Sequence, residues 1–153
     1  KIDIKQYRSR IGSIIQGETP FEGTILENIT KKKKNISTED LKWALDAVQL
    51  TSFIKTLPKG LDTKIFPEGK QLSSSNAQKI LLARSIIHKP NILFYEEPTD
   101  KMDVKVANEI IDFITSEKNK WTVIVSSQNP HWITKCTREI TMQKGTILSD
   151  TKK

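Results

Sequence analysis

Thiols and imidazoles are scarce in this chain of 153 residues, which holds one cysteine, Cys136, and two histidines, His88 and His131. A lone cysteine excludes an internal disulfide and permits a reducing compartment. The same scarcity leaves no Cys/His cluster of the kind that binds zinc. No Ser, His and Asp order points to a hydrolase triad. No apolar run approaches the roughly 20 residues of a membrane-spanning helix, and no secretory signal pattern opens the sequence. There is no internal repeat, and the one biased segment is the run Lys31–Lys34. Lys1 is neither a methionine nor an obvious domain start, so the chain reads as a fragment or trimmed piece.

What is present suits a soluble globular protein: 36% hydrophobic and 28% charged residues, in a length that fits one domain with a sizeable core. The formal net charge is +7. Part of it is the lysine run, which sits between polar residues and is read as a solvated loop. The alternative is a patch for nucleic acid or an anionic membrane. The run has no interleaved aromatics to stack bases, and no nucleic-acid partner is expected.

Periodicity then gives an order of elements. Ile11–Gln16 reads as a short strand and Gly17–Gly23 as a loop. Thr24–Ile29 suits a short helical turn. Ser37 has the position of a helix cap, with Asp40 at capping-box spacing, and Leu41, Ala44, Leu45 and Val48 share one face of the helix that follows. Thr51–Leu57 is a second short helix, stopped by Pro58-Lys59-Gly60, and Leu61–Lys70 is loop. A helix from about Ser74–Asn76 to His88 has too many apolar positions for a surface stripe. Asn91–Glu96 is a strand apolar enough to be covered on both faces of a parallel sheet. Asp103–Glu117 is an amphipathic helix with Val104, Ala107, Ile110, Ile111 and Ile114 inward, and Trp121–Ser126 is another buried strand. Pro130–Cys136 is a short helix, and Arg138–Gln143 with Thr146–Asp150 forms a hairpin around Lys144-Gly145. Trp43, Trp121 and Trp132 are read as packing residues. The pattern is α/β with a helical insertion.

The densest stretch is Gln71–Asp103, QLSSSNAQKILLARSIIHKPNILFYEEPTDKMD. A Ser-rich turn opens a helix, and a buried strand then ends in two adjacent acids, Glu96 and Glu97. Such a strand end is a common way to set a metal ligand beside a water-activating base. Taken alone, the acids could equally end a solvated strand, Ser73–Asn76 could be only a helix cap, and Gln16 could be a plain edge residue.

In order along the chain, IGSIIQGETPFEGTILENI, FIKTLPKGLDT, LSSSNAQKILLARSII, ILFYEEPTDKMD and TVIVSSQ resemble successive motifs of the ABC transporter nucleotide-binding domain, exporter and type 1 secretion type. The resemblance implies a partial RecA-like P-loop NTPase core, mostly parallel with a C-terminal hairpin. A helical subdomain at about 21–88 is inserted between core segments 1–20 and 89–153. It implies ATP and Mg²⁺ as ligands. It also implies a second nucleotide-binding domain and a transmembrane domain as partners, at the cytoplasmic face of a membrane. By position, Gln16 matches the Q-loop glutamine, near the metal and γ-phosphate. Ser73, Ser74, Ser75 and Asn76 match the signature that faces phosphate across a dimer. Glu96 matches the metal-holding Walker B acid, Glu97 the catalytic glutamate, Asp103 the D-loop aspartate, and Gln128 the switch histidine.

The departures carry their own expectations. No G-x-x-x-x-G-K-[ST] loop occurs in the sequence, so this chain alone is expected to bind ATP poorly or not at all. Ser74 and Ser75 stand where glycines let backbone approach phosphate. Glu96 is a methylene longer than aspartate, at a metal that tolerates little distortion. Gln128 hydrogen-bonds but carries no proton as histidine does. Glu97 is intact. The resemblance therefore implies an ATPase that powers export, with a degenerate, non-hydrolytic structural or regulatory module as the alternative.

Overall fold

The computed structural model describes residues 3–33 and 35–153. Lys34 of the lysine run lies outside the described residues, as does Lys1. In chain order the elements are α1 (Ile4–Ser9), β1 (Ile11–Ile14), β2 (Gly23–Thr24), α2 (Ile25–Thr30), α3 (Thr38–Ala47), α4 (Thr51–Thr56) and β3 (Lys64–Ile65). They continue with α5 (Ser74–Ile86), β4 (Ile92–Glu96), α6 (Val104–Ile114), β5 (Thr122–Ser126), α7 (Pro130–Lys135), β6 (Arg138–Gln143) and β7 (Thr146–Lys152).

The α/β class is as expected. Strands β1, β4 and β5 form a parallel sheet in the order β1-β4-β5, with Ile14 opposite Tyr95 and Glu96 opposite Ser126. The hairpin β6–β7 is a separate antiparallel pair and runs two residues past the expected Asp150, to Lys152. A two-residue pair, β2–β3, ties Gly23-Thr24 to Lys64-Ile65, with Gly23, Lys64 and Ile65 read as plain loop and Thr24 as the start of a helical turn. The sequence pattern also gave no notice of α1.

Local chemistry accounts for the helix starts. Thr24 caps α2 in a full capping box: its hydroxyl accepts the Glu27 N–H at 3.0 Å, and Glu27 Oε2 accepts the Thr24 N–H at 2.8 Å. Ser37 accepts the Asp40 N–H at 3.0 Å and starts α3. Ala44, Leu45 and Val48 are buried on that helix as expected, whereas Leu41 is half-buried. Helix α5 is buried almost all round from Ile80 to Ile87, which is why it shows no amphipathic stripe.

One continuous core joins α2, α3 and α5 to the inner face of the sheet. Ile25, Ile29, Leu82, Ile86, Leu93 and Ile110 are fully shielded from solvent within it. Trp43, Phe113 and Trp121 pack against one another as tilted rings at centroid distances of 5.8 to 6.5 Å, and Trp132 meets Tyr95 edge-on at 6.4 Å. The tryptophans are thus packing residues, as read.

Close approach of α5 to β1 depends on Gly12. A Cβ there would sit 2.2 Å from the Ser85 carbonyl oxygen and 2.7 Å from Leu93 Cδ2. The first of these is backbone and has no rotamer to escape through. Gly12→Ala is therefore expected to destabilise the chain by about 1–3 kcal/mol, the usual cost of overpacking, as read from urea midpoints at unchanged slope.

Three expectations of burial fail. Strand β4 alternates, with Leu93 and Tyr95 buried and Phe94 38% exposed, so it is not covered on both faces. β5 is an edge strand with no fully buried residue, and its Ile124 is 51% exposed. An uninterrupted apolar run says that both faces avoid polar groups, not that both find a covering layer. Ser13, Ile15, Phe94, Ile124 and Ser126 leave one sheet face open among the described residues. Val104 is also exposed, because it opens α6 before the helix turns its apolar face to the core.

Candidate functional site

Parallel strands deliver their C-terminal ends to one edge, where α/β sheets gather ligands. Here that edge receives Gln16 from β1, Glu96 and Glu97 from β4, and Ser127 and Gln128 from β5. Glu96 Oε2 accepts the Gln16 N–H at 3.1 Å, so the main chain of Gln16 makes this contact. Glu97 is tied to the neighbouring strand end by three hydrogen bonds: its N–H donates to Ser126 O at 2.9 Å, its Oε2 accepts from Ser127 Oγ at 2.8 Å, and its Oε1 accepts the Gln128 N–H at 2.8 Å.

Glu97 has φ +43°, in the left-handed region that costs a side-chain-bearing residue about 1–2 kcal/mol. Such strain persists where surrounding contacts over-determine it. The four partners of Glu97 do so: Ser126, Ser127, Gln128 and, at its carbonyl, Gln78 Nε2 at 3.0 Å. Ser127 Oγ in turn accepts the Asn129 N–H at 3.1 Å, and Asn129 caps α7. The carboxylate therefore organises the turn that presents Gln128.

An open cleft lies between the segment after β1, the start of α5 and the turn after β4, with Gln16, Ser74, Glu96 and Glu97 on its walls. Ser73 is the N-cap of α5, its hydroxyl accepting the Asn76 N–H at 3.2 Å. Ser75 and Asn76 belong to the first turn of that helix. Asp103 stands apart from the cleft and caps α6, accepting the Lys105 N–H at 2.9 Å. His131 meets Asp112 at 2.8 Å rather than Glu97. Hydrogen bonds from Lys135 and His131 hold the Asp112 carboxyl below the usual range. His88 lies just past α5, where burial and then the charge of Lys33 lower its pKa.

Among the described residues no three His, Cys, Asp or Glu side chains come together as a metal cluster. A Mg²⁺ ion in nucleotide sites is held by one or two carboxylates together with phosphates and water. Glu96, at the strand end with one oxygen on the Gln16 amide, fits as one such carboxylate.

Pattern reading missed Gln78, Ser127, and the network of buried Arg84 and Asn28 with the more exposed Glu18. Gln78 and Arg84, with Ser85, are the buried polar residues of α5, and a polar residue within the apolar stretch was the available signal: buried polar groups keep specific partners. Arg84 donates from Nε to Asn28 O at 2.7 Å and from its terminal nitrogens to Asn28 Oδ1 at 2.6 Å and Glu18 Oε1 at 3.1 Å.

Comparison with known proteins points the same way as the motifs. The family model described as ABC transporter matches residues 1–100. The ATP-dependent permease MDL1 of Candida albicans is 36% identical over 128 residues, which are 82% of this chain and 18% of that protein. The ABC-type transporter kk1G of Curvularia clavata is 35% identical over 124 residues, 79% of this chain and 9% of that protein. In fold, the chain is similar to a bacterial Atm1-family ABC exporter solved with ATP bound, at a TM-score of 0.89 and 22% identity, over 97% of this chain and 26% of the other. The chain thus spans under a fifth of the length of these curated relatives. From the ordered motifs, the parallel core and the family match, the chain belongs to the ABC transporter family, as part of an exporter-type nucleotide-binding domain.

Proposed function

We propose that these residues supply the water-orienting carboxylate and the signature helix of an ATPase domain that powers export across a membrane. The observation that carries this reading is Glu97, fixed through main chain and side chain at the C-terminal edge of the parallel sheet, beside Glu96 and Gln16. In the whole domain Glu97 orients a water for in-line attack on the γ-phosphorus of ATP and takes its proton. Glu96 and Gln16 are the residues that would hold Mg²⁺, whose chemistry is to neutralise charge on the phosphate oxygens. Ser73, Ser74, Ser75 and Asn76 open the helix that faces the phosphates of a second nucleotide-binding domain, where helix N-termini favour anions. Asp103 would lie at the dimer seam, and Gln128 hydrogen-bonds the γ-phosphate in place of a histidine. The segment 21–88 is the helical subdomain that meets the transmembrane domain, at the cytoplasmic face.

Residues 1–153 contain no phosphate-cradling glycine loop, so on this reading they do not retain ATP by themselves.

A specific observation favours the second reading, a module that binds ATP without turnover. Both Glu97 oxygens already accept hydrogen bonds, from Ser127 and Gln128. With Ser74, Ser75, Glu96 and Gln128 in place of the family's usual residues, ATP would then close a dimer and little else. Phosphate release by the full transporter, wild type against Glu97→Gln, separates the two. Loss of turnover with ATP retained supports the enzyme, and an unchanged low rate supports the module.

A further inference from the structure

Gln78 is nine-tenths buried one turn into α5, and its carboxamide is fully engaged by a single short segment. Nε2 donates to the Glu97 carbonyl at 3.0 Å and to Asp100 Oδ1 at 2.7 Å, while Oε1 accepts the Lys101 N–H at 3.1 Å. A glutamine amide offers two donors and one acceptor oxygen in a fixed plane. Here all three functions land within the turn that leaves β4. Glu97 is consequently pinned on both sides of its left-handed Cα, its N–H by Ser126 and its C=O by Gln78. Burial works to raise the pKa of Asp100, but the hydrogen bonds from Lys101 and Gln78 outweigh it, so Asp100 stays an anion suited to the Gln78 donor.

We propose that Gln78 is a positioning residue for Glu97, holding the strained turn in the one conformation that aims the carboxylate along the sheet edge. This rests on the reading of Glu97 as the water-orienting base. Without the Gln78 amide the Glu97 peptide relaxes toward the right-handed region and the carboxylate swings away. Misplacing a reacting group by an ångström typically costs about 10²-fold in rate. A mere filler of the α5 interface would instead be replaced by leucine with little change.

Two measurements on Gln78→Leu decide it. In this chain, hydrogen exchange of residues 97–103 is expected to speed up, the Lys101 amide most, with the rest of α5 protected as before. In the full transporter, kcat for ATP is expected to fall by about 10- to 100-fold with KM within about twofold, since the loss concerns positioning and not binding. Gln78→Glu, which keeps the acceptor but sets a second carboxylate against Asp100, should be at least as impaired. Asp100→Ala removes one Gln78 acceptor and the Lys101 ion pair from the exposed side of the turn, folds even if Gln78→Leu does not, and should shift both readouts the same way to a smaller extent. Unchanged exchange overturns the clamp whatever becomes of the nucleotide reading. Faster exchange with full turnover, in a transporter that Glu97→Gln inactivates, overturns the positioning role. If Glu97→Gln itself leaves turnover unchanged, the enzyme reading fails, and with it the catalytic meaning of the clamp.

Discussion

Replacing Glu97 by glutamine is expected to lower ATP turnover of the full transporter by roughly 10²- to 10⁴-fold, the span of general acid–base contributions. ATP affinity should change by less than about threefold, because the loss falls in the transition state and not in ground-state binding. Glutamine keeps the shape of the side chain and can keep both neighbours. Its carbonyl oxygen can accept the Gln128 N–H, and its NH₂ can donate to Ser127 Oγ, a hydroxyl able to reverse its role. The turn therefore survives while the base does not, which makes the substitution a chemical rather than a structural test. Steady-state phosphate release over a range of ATP concentrations gives kcat and KM separately. A fall in kcat alone identifies Glu97 as the base, and an equal rise in KM would instead mark a binding role.

The largest expected loss of stability comes from Arg84→Met. The Arg84 side chain is only 7% exposed and its guanidinium donates to Asn28 O, Asn28 Oδ1 and Glu18 Oε1, over the face of Phe21 at 5.1 Å. Asn28 passes the connection on, exchanging hydrogen bonds with Phe21 and donating to Thr24 O at 3.0 Å. Burial lowers the pKa of Arg84 and Glu18 opposes it, yet a guanidinium remains charged in proteins. Methionine restores volume but leaves Asn28 and Glu18 without their donor. Removing one partner of a buried pair costs about 3–5 kcal/mol. Glu18 is 33% exposed, so water recovers part of its solvation and about 3 kcal/mol is expected. For a chain of this size that corresponds to a Tm lower by about 6–12 °C. A thermal scan showing a drop under about 2 °C would mean that the network contributes little.

The two substitutions mark where sequence reading stops. Glu97 was legible because a run of apolar residues ended in acids, a pattern that depends only on spacing along one strand. The strands, the Ser37 and Ser73 caps and the hairpin were legible for the same reason, since each is set by neighbours in sequence. Gln78 and Arg84 could be seen as polar residues in an apolar helix, but their partners lie 19 to 66 residues away, and composition says nothing about which loop folds back to meet them. The same limit explains the covering of the sheet. Apolar character in β4 and β5 was plain, while the exposure of Phe94 and Ile124 depends on which layers pack against each face. Asp103, read only as the D-loop aspartate, also has a local part, since it caps α6 by bonding an amide two residues on.

The most direct test of the account is Mg-ATP titration by calorimetry of two proteins side by side. One is this chain, and the other is the same chain preceded by a segment carrying a family phosphate loop. The account predicts heat of binding for the longer protein only, with the 153 residues silent at millimolar ATP. Equal binding by both would contradict it, because these residues would then hold the phosphates unaided. Silence from both would contradict the nucleotide site itself.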